Sequence, residues 1–272
     1  MRPALNKDTR LCISLAGRPS NIGTRFHNYL YDQLGLDFIY KAFTTTDIAA
    51  AIGGVRALGI RGCSVSMPFK EAVIRLVDKV EPSARAIHSV NTIVNDDGYL
   101  TASNTDYIAV QRLIDEHGLD PDDAVLIRGS GGMASAVAAA FQGNGFHTGI
   151  IVARNPETGR ALADRLGYEY APDVGDLAAP IIVNVTPIGM AGGPEESEAA
   201  YGEAAIAKAD TVFDVVALPS ETPLIKAARA AGVKVITGAE VIALQAAEQF
   251  ERYTGVRPTP EQIAEASAIS RA

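Results

Sequence analysis

The sequence has few cysteines and histidines, the residues that form disulfides and bind metals. It holds only two cysteines, Cys12 and Cys63, both within apolar segments and neither in a metal-type spacing. This excludes a disulfide framework and predicts two reduced core residues in a cytoplasmic protein. Metal-ligand spacing is also missing among the four histidines, which are His27, His88, His117 and His147. We therefore expect no metal site.

Basic clusters and long apolar runs are scarce as well. The formal net charge is −8 and no run of Lys and Arg occurs, so nucleic acid is not an expected partner. No apolar run approaches the length of a membrane span, and the first ten residues lack an apolar signal region. These absences predict a soluble, cytoplasmic protein. The expected partner is a small molecule, and whether the protein is a monomer or a homodimer is left open by the sequence.

Length and composition indicate an ordinary globular protein of more than one domain. The chain has 272 residues, of which 47% are hydrophobic and 21% charged. That length exceeds the usual size of a single domain, and each of two domains could bury its own core.

A glycine-rich stretch at residues 124–143, AVLIRGSGGMASAVAAAFQG, is the most informative segment. The mostly apolar residues 124–128 predict a strand, the glycines predict a tight turn, and the Ala-rich continuation predicts a helix, with a second strand at 148–153. In such a unit, glycines at the turn allow close approach of a pyrophosphate, which the helix N-terminus attracts. The pattern favours dinucleotide binding over a plain glycine turn.

The rest of the chain alternates between strand and helix patterns. In the first part, strands are predicted at 11–15, 38–42 and 62–66, helices at 23–34, 48–58 and 72–77, and a hairpin from 86–94 and 99–102. In the second part, helices are predicted at 107–116, 155–166 and 238–253, and strands at 181–185, 211–216 and 233–236. This indicates an α/β fold with two lobes. We predict a substrate-binding lobe at 1–105 with returning helices at 238–272, its strands mainly parallel, and a doubly wound nucleotide-binding lobe at 106–237.

Polar residues follow three strands of the first lobe. They form the clusters SVSMPFK at 64–70, SVNT at 89–92 and NTD at 104–106. Ser and Asn bind hydroxyls or a carboxylate without adding a competing charge, so the clusters predict a site for a small polyhydroxylated molecule. Each residue also has an ordinary structural interpretation: Asp106 could cap the helix that follows, and Lys70 could be a solvated charge.

These clusters resemble the motifs of the shikimate and quinate dehydrogenases. SVSMPFK is similar to that family's NVTxPxK, and SVNT and NTD are similar to its AxNT and NTD. GSGGMA at 129–134, NVTPIGM at 184–190, TPLI at 222–225 and the pattern GxxVxxxQxxxQF at 238–250 match in the same order. The resemblance covers nearly the whole chain and is strongest to the subgroup of shikimate dehydrogenase-like proteins.

The resemblance implies an NAD(P)-dependent dehydrogenase of the Rossmann type. It implies that Lys70 and Asp106 are a catalytic pair that assists proton transfer while a hydride moves between a ring carbon and the nicotinamide. Substrate contacts are expected from Ser20, Asn21, Ser66, Asn91 and Gln245. Cofactor contacts are expected from Gly129, Ser130, Gly131, Gly132, Met133, Arg154, Asn155, Thr186, Pro187, Val215 and Gly238.

The sequence departs from the family pattern at several substrate positions. Two serines of the family's N-terminal motif, which grip the substrate carboxylate, correspond to Asn21 and Gly23, and Ser20, Thr24 or Arg25 could replace them. The Asn of NVT is Ser64, and an expected Tyr is Ala217. Each missing hydrogen bond to a carboxylate could cost about 1.5–3 kcal/mol, so shikimate itself could be a poor substrate.

The choice between NAD and NADP is left open by the sequence. Arg154 resembles part of the family's clamp for the 2′-phosphate of NADP, but Thr158 stands where a second basic residue is usual and Glu157 would repel a phosphate. Two other functions also stay open. One is a catalytically inactive nucleotide-binding sensor, and the other is a dehydrogenase for folate-like or other substrates on the same two-lobe plan.

Overall fold

Two compact units make up the chain, each built on its own six-stranded sheet. The computed structural model describes residues 2–271. The first unit runs up to Thr105 and resumes at Ala243, and the second unit is Asp106–Ile242. The return to the first unit therefore comes inside the long C-terminal helix rather than at its first residue, Gly238.

The first sheet has the strand order β2-β1-β3-β5-β6-β4. Its strands are β1 Arg10–Ala16, β2 Phe38–Thr44, β3 Gly62–Val65, β4 Lys79–Val80, β5 Thr92–Asp96 and β6 Tyr99–Ser103. Strands β2, β1 and β3 are parallel, β5 is antiparallel to both β3 and β6, and β4 is parallel to β6. The sheet is therefore mixed, because the β5–β6 hairpin reverses the chain direction.

Apolar cores cover both faces of the first sheet. Its helices are α1 Ile22–Leu34, α2 Ile48–Ala57, a 3₁₀ helix at Ala72–Leu76, α3 Pro82–Arg85, α9 Gly238–Thr254 and α10 Pro260–Arg271. On one face, residues of α1, α9 and α10 pack against Cys12 and Tyr40. On the other, residues of α2 pack against Ile13 and Leu15. The period-two alternation along β1 explains this division, since successive side chains point to opposite faces.

The second sheet is wholly parallel, with the order β12-β11-β10-β7-β8-β9. Its strands are β7 Val125–Arg128, β8 Gly149–Val152, β9 Glu169–Ala171, β10 Ile181–Asn184, β11 Thr211–Asp214 and β12 Lys234–Thr237. They alternate with α4 Thr105–Glu116, α5 Gly132–Gly143, α6 Pro156–Leu166, α7 Glu203–Ile206 and α8 Pro223–Ala230. This is the doubly wound order of dinucleotide-binding folds, in which β7 and β10 flank the point where the winding reverses.

Several predicted elements differ from the observed ones. The predicted helix at 72–77 is the short 3₁₀ helix, and the predicted strand at 86–94 begins only at Thr92, after α3 and a turn. Strands β4 and β9 and helices α3, α7 and α8 were not predicted. Short elements such as the three-residue β9 carry too few residues to show a period, so their pairing partner determines them.

The two cysteines are core residues, as predicted, and His27 is buried as well. Cys12 and Cys63 are buried free thiols, and burial raises the pKa of Cys12 to about 12, so it stays protonated. His27 lies on α1 with no exposed surface. Its imidazole is stacked on the Tyr40 ring, with centroids 4.4 Å apart and planes 12° apart. Within residues 2–271, the helices are too short or too polar to cross a lipid bilayer.

Candidate active site

The two glycines of the turn after β7 have different surroundings. Gly129 has φ +135°, and a Cβ built there would lie 2.8 Å from the Val185 carbonyl oxygen, so no larger residue fits. Gly131 is the N-cap of α5, and a Cβ built on it would meet no atom within 4 Å. The first glycine is thus required by the protein's own backbone, whereas the second leaves open space before the helix N-terminus.

A cavity of about 330 Å³ opens beside this turn. Its lining includes seven of the residues predicted to contact the cofactor, namely Gly129, Ser130, Gly131, Arg154, Asn155, Thr186 and Pro187. The remaining lining residues are Arg128, Val152, Ala153, Pro172, Asp173, Val185 and Ile188. The cavity lies at the carboxyl ends of β7, β8 and β10, where doubly wound sheets bind ligands.

Four predicted cofactor residues do not line this cavity, namely Gly132, Met133, Val215 and Gly238. Gly132 and Met133 form the first turn of α5. Val215 and Gly238 lie against each other, because a Cβ on Gly238 would be 2.4 Å from the Val215 carbonyl oxygen. Gly238 therefore allows close backbone packing where α9 begins.

Polar side chains at the end of β8 already have partners. The Arg154 guanidinium is 3.4 Å from a Glu195 carboxylate oxygen, while 74% of its side chain is exposed. The hydroxyls of Ser130 and Thr158 are 2.7 Å apart. The Asn155 side chain caps α6 by accepting a hydrogen bond from the Glu157 amide. Any anion that approaches Arg154 must therefore compete with Glu195.

A buried polar network fixes the loops after β10 and β11. Asp214 accepts hydrogen bonds from Asn184 Nδ2 at 3.0 Å and from Thr222 Oγ1 at 2.7 Å. Asn184 Oδ1 accepts in turn from the Thr186 hydroxyl at 2.6 Å. Burial raises the pKa of Asp214, and these hydrogen bonds oppose the shift. Sequence reasoning missed Asp214 as the centre of this network, although it ends a buried strand.

In the first unit, Lys70 and Asn91 are placed by neighbouring segments. Lys70 lies in the turn between β3 and the 3₁₀ helix, is partly buried, and accepts a hydrogen bond at its carbonyl from the Val90 amide at 2.9 Å. Asn91 follows Val90 and is almost completely buried. The segments 64–70 and 89–92, predicted to form one site, are thus joined through their backbones.

The Asn91 side chain is held in one orientation by two threonines. Its Oδ1 accepts from the Thr105 amide at 2.8 Å, from the Thr105 hydroxyl at 3.1 Å and from the Thr92 hydroxyl at 2.8 Å. All three donors converge on the oxygen, so Nδ2 is the atom through which Asn91 would donate to a ligand. Asp106 follows Thr105 in the chain and lies in the first turn of α4.

Two glutamines of α9 complete this network. Gln245 Nε2 donates to the Thr105 hydroxyl at 3.2 Å, and Gln249 Nε2 donates to the Thr92 hydroxyl at 3.0 Å. Each amide donates to a threonine hydroxyl, which donates onward to Asn91, so every bond has a consistent direction. The network leaves the Gln245 Oε1 as an acceptor. Sequence reasoning missed Thr92, Thr105 and Gln249, whose roles depend on contacts between distant segments.

The other predicted substrate residues lie at exposed positions of the first unit. Ser20, Asn21 and Ser66 are all exposed, and Asn21 is the N-cap position of α1 without a capping side-chain hydrogen bond. Lys70 belongs to the first unit and Asp106 is the first residue of the second, so their pairing stays a prediction. Among residues 2–271, no group of three or more His, Cys, Asp and Glu side chains could hold a metal ion.

Comparison with known proteins agrees with the motifs. Residues 21–93 match the model of the shikimate dehydrogenase substrate binding domain. A shikimate dehydrogenase-like protein of Haemophilus influenzae is 59% identical over 267 residues, which cover 98% of each chain. A shikimate dehydrogenase (NADP(+)) of Citrifermentans bemidjiense is 34% identical over 262 residues, covering 90% of this chain and 89% of the relative.

Solved structures give the same result. A shikimate 5-dehydrogenase-like protein superposes with a TM-score of 0.98 at 59% identity, covering 99% of this chain and all of that one. Shikimate 5-dehydrogenase from Thermus thermophilus in complex with NADP(H) and shikimate superposes with a TM-score of 0.82 at 28% identity. The superposition covers 96% of this chain and 99% of that one. Shikimate 5-dehydrogenase from Listeria monocytogenes in complex with shikimate and NAD superposes with a TM-score of 0.87 at 27% identity. The superposition covers 97% of this chain and 98% of that one.

These matches extend over both units. The chain therefore belongs to the shikimate dehydrogenase family of oxidoreductases.

Proposed function

We propose that the protein is an NAD(P)-dependent dehydrogenase that interconverts shikimate, quinate or a related polyhydroxylated cyclic carboxylate with its 3-dehydro ketone. The observation that carries this proposal is the Thr105-centred network, which orients the amides of Asn91 and Gln245, while the Val90 amide, next to Asn91, binds the Lys70 carbonyl. A protein that only binds a nucleotide has no need of an ordered donor and acceptor set of this kind.

The second unit fits a dinucleotide at the turn after β7. The open space at Gly131, the twelve-residue helix behind it and the adjoining cavity together suit a pyrophosphate and its ribose. Gly131, Ser130 and Thr186 would hold this group, and Arg154 and Asn155 would meet its adenosine end. When bound, the nicotinamide supplies the hydride acceptor or donor, and the protein supplies orientation and proton transfer.

The first unit supplies directional hydrogen bonds to the substrate. Asn91 Nδ2 would donate to one substrate hydroxyl, and Gln245 Oε1 would accept from another. Because Thr92 and Thr105 are buried and hydrogen-bonded to the amides, neither amide has to reorient when the substrate binds. This preorganisation distinguishes substrates by the positions of their hydroxyls.

Lys70 and Asp106 are proposed as the pair that handles the proton of the reacting hydroxyl. A neutral Lys70 amine can accept that proton, and the ammonium can stabilise negative charge that develops on the oxygen. Asp106 would hold the ammonium in position. Both residues are connected to the Asn91 segment. The Lys70 carbonyl accepts a hydrogen bond from the amide of Val90, which precedes Asn91, and Asp106 follows Thr105, whose amide donates to the Asn91 side chain.

The test is a steady-state assay of nicotinamide absorbance with shikimate, quinate and unrelated hydroxy acids, each with NAD⁺ and NADP⁺. We expect turnover with at least one cyclic polyhydroxy carboxylate. Lys70→Met is expected to lower kcat at least a hundredfold while leaving cofactor affinity within about twofold, because general acid–base groups contribute about 10²–10⁴-fold.

The matched control is Lys79→Met, which removes an exposed lysine from β4 of the same unit and should leave kcat unchanged. Cofactor binding without turnover on any hydroxy acid would favour the nucleotide-binding sensor. Near wild-type kcat in Lys70→Met would remove Lys70 from the mechanism.

A further inference from the structure

We propose that the Ser64 hydroxyl binds the substrate carboxylate, and that Tyr40 is a positioning residue that orients this hydroxyl from behind. The proposal rests on the proposed function, because it assumes that the ligand of the first unit is a cyclic carboxylate. It deepens that function by assigning the group that selects for the acid.

The register of three parallel strands brings the two residues together. Tyr40 on β2 pairs with Cys12 on β1, and Ser64 on β3 pairs with Ser14, two residues further along β1. Residues in register on adjacent strands point to the same face, so Tyr40 and Ser64 share a face of the sheet. The Tyr40 hydroxyl reaches across to the Ser64 hydroxyl, with 2.7 Å between the oxygens.

The difference in exposure between the two residues separates their roles. Tyr40 is 2% exposed and its ring is stacked on His27, which is itself stacked on Phe250 with centroids 6.0 Å apart. Ser64 is only partly buried and lies in the segment that leads to Lys70. Tyr40 is therefore immobilised and inaccessible, whereas Ser64 is placed to touch a ligand.

The direction of the hydrogen bond makes Ser64 a donor. Burial raises the pKa of the Tyr40 phenol, although interactions with the Ser64 and Ser14 hydroxyls act in the opposite direction, and a phenol is the stronger acid of the two hydroxyls. Either hydroxyl could donate across this contact, and we assign the donor role to Tyr40 as the stronger acid, which leaves the Ser64 proton for a ligand. A hydroxyl that already accepts a hydrogen bond is a better donor, and a donor of this kind suits an anionic oxygen.

The start of α1 leaves room beside this pair. A Cβ built on Gly23 would lie 3.5 Å from the Tyr40 hydroxyl oxygen, which is an ordinary contact distance. Glycine at this position leaves that space unfilled, so no side chain of residue 23 competes with a ligand for the pair. A serine at position 23 would fit and would bring a second hydroxyl to the same place.

The experiment compares shikimate with its methyl ester in Ser64→Ala, Tyr40→Phe and the double variant, measuring KM, kcat and calorimetric Kd. We expect Ser64→Ala to raise KM and Kd for shikimate about tenfold or more, the loss typical of a hydrogen bond to a charged group. Tyr40→Phe should raise them about three- to fivefold, and the double variant no more than Ser64→Ala. For the ester, all three variants should stay within about twofold, and kcat should change little.

Two controls separate this role from a structural one. Tyr31→Phe removes another buried phenol of the same apolar core, one without an oxygen or nitrogen partner, and should leave both ligands unaffected. Gly23→Ser added to Ser64→Ala should recover part of the lost affinity for shikimate.

The outcomes distinguish the two proposals. Equal losses for the acid and the ester, or an unchanged Kd for shikimate in Ser64→Ala, would overturn the role of the pair while turnover by the wild type still supports the dehydrogenase. Absence of wild-type turnover would overturn the dehydrogenase, and the calorimetric comparison would still decide on the pair. A wild type that neither binds nor turns over any of the cyclic polyhydroxy carboxylates tested would overturn both proposals.

Discussion

At the scale of single residues, the two glycines of the turn after β7 are needed for different reasons. Gly129 is required by the protein, through its positive φ and the nearby Val185 carbonyl, whereas Gly131 borders open space. The motif alone does not separate these roles, since both are glycines in one pattern. The structure separates them by what a side chain would meet.

We expect Gly131→Ala to lower cofactor affinity at least tenfold without lowering the melting temperature, because its methyl group would occupy the ligand's space. Gly129→Ala should destabilise the protein by about 1–3 kcal/mol, since the backbone conformation is unfavourable for a residue with a Cβ. Thermal unfolding without ligand and cofactor titration measure the two effects. Equal destabilisation by both substitutions would contradict the distinction.

Cofactor choice is also a property of single residues. Glu195 neutralises Arg154, and exposed ion pairs of this kind contribute about 0.2–1 kcal/mol. Glu195→Gln is therefore expected to raise the ratio of kcat/KM for NADP⁺ to that for NAD⁺ about two- to fivefold, whereas Arg154→Ala should lower it. Glu198→Gln, at an exposed position of the same loop, is the control. A ratio unchanged in Arg154→Ala would show that this guanidinium does not read the 2′-phosphate.

At the scale of elements, Thr222 connects a strand end to a helix start. Its hydroxyl donates to the Asp214 carboxylate at 2.7 Å and accepts from the Ile225 amide at 3.1 Å, so one atom caps α8 and satisfies a buried acid. The sequence motif TPLI is typical of a helix start with Pro in the first turn. The sequence does not indicate that its threonine also binds Asp214, which lies on β11.

Thr222→Val should lower the free energy of unfolding by about 2–4 kcal/mol, since it removes a cap and leaves a buried carboxylate oxygen without its donor. Thr222→Ser keeps the hydroxyl and should retain most of the stability. Urea denaturation of both variants measures the difference. Similar stabilities for the valine and serine variants would mean that the hydroxyl contributes little.

At the scale of the whole molecule, buried His27 makes stability depend on pH. Burial lowers its pKa in the folded protein to about 3, and a weaker interaction with Gln249 acts in the opposite direction. An unfolded histidine titrates near ~6.5, so between these values the unfolded chain binds the extra proton. Stability is therefore lost as pH falls from about 6.5 towards 3, by up to about 1.4 kcal/mol per pH unit.

His27→Phe keeps an aromatic ring in the stack and should flatten this dependence. Urea denaturation at several values from about pH 4 to about pH 6.5, inside the window set by the two pKa values, would measure the slope. His147→Phe, on an exposed turn, should leave the slope as in the wild type. A slope that persists in His27→Phe would assign the acid sensitivity to other groups.

The sequence by itself determined the α/β class, the glycine turn, the family and most strands of the second sheet. Those features are local, because a buried parallel strand is a continuous apolar run and a pyrophosphate turn needs glycines at fixed spacing. The strand at 86–94 was predicted too long because its first residues are apolar but are hydrogen-bonded outside the hairpin, as Val90 is to Lys70.

Only the tertiary structure decided how the site residues are held. Asn91, Thr105 and Gln245 are far apart in sequence, and their shared hydrogen bonds exist because the residue before the hairpin, the start of α4 and the middle of α9 meet in the first unit. The pairing of Tyr40 with Ser64 depends likewise on the register of β2, β1 and β3. A sequence pattern can indicate which residues carry chemistry, but hydrogen bonds between distant segments form only when the packing of the elements sets their distance and direction.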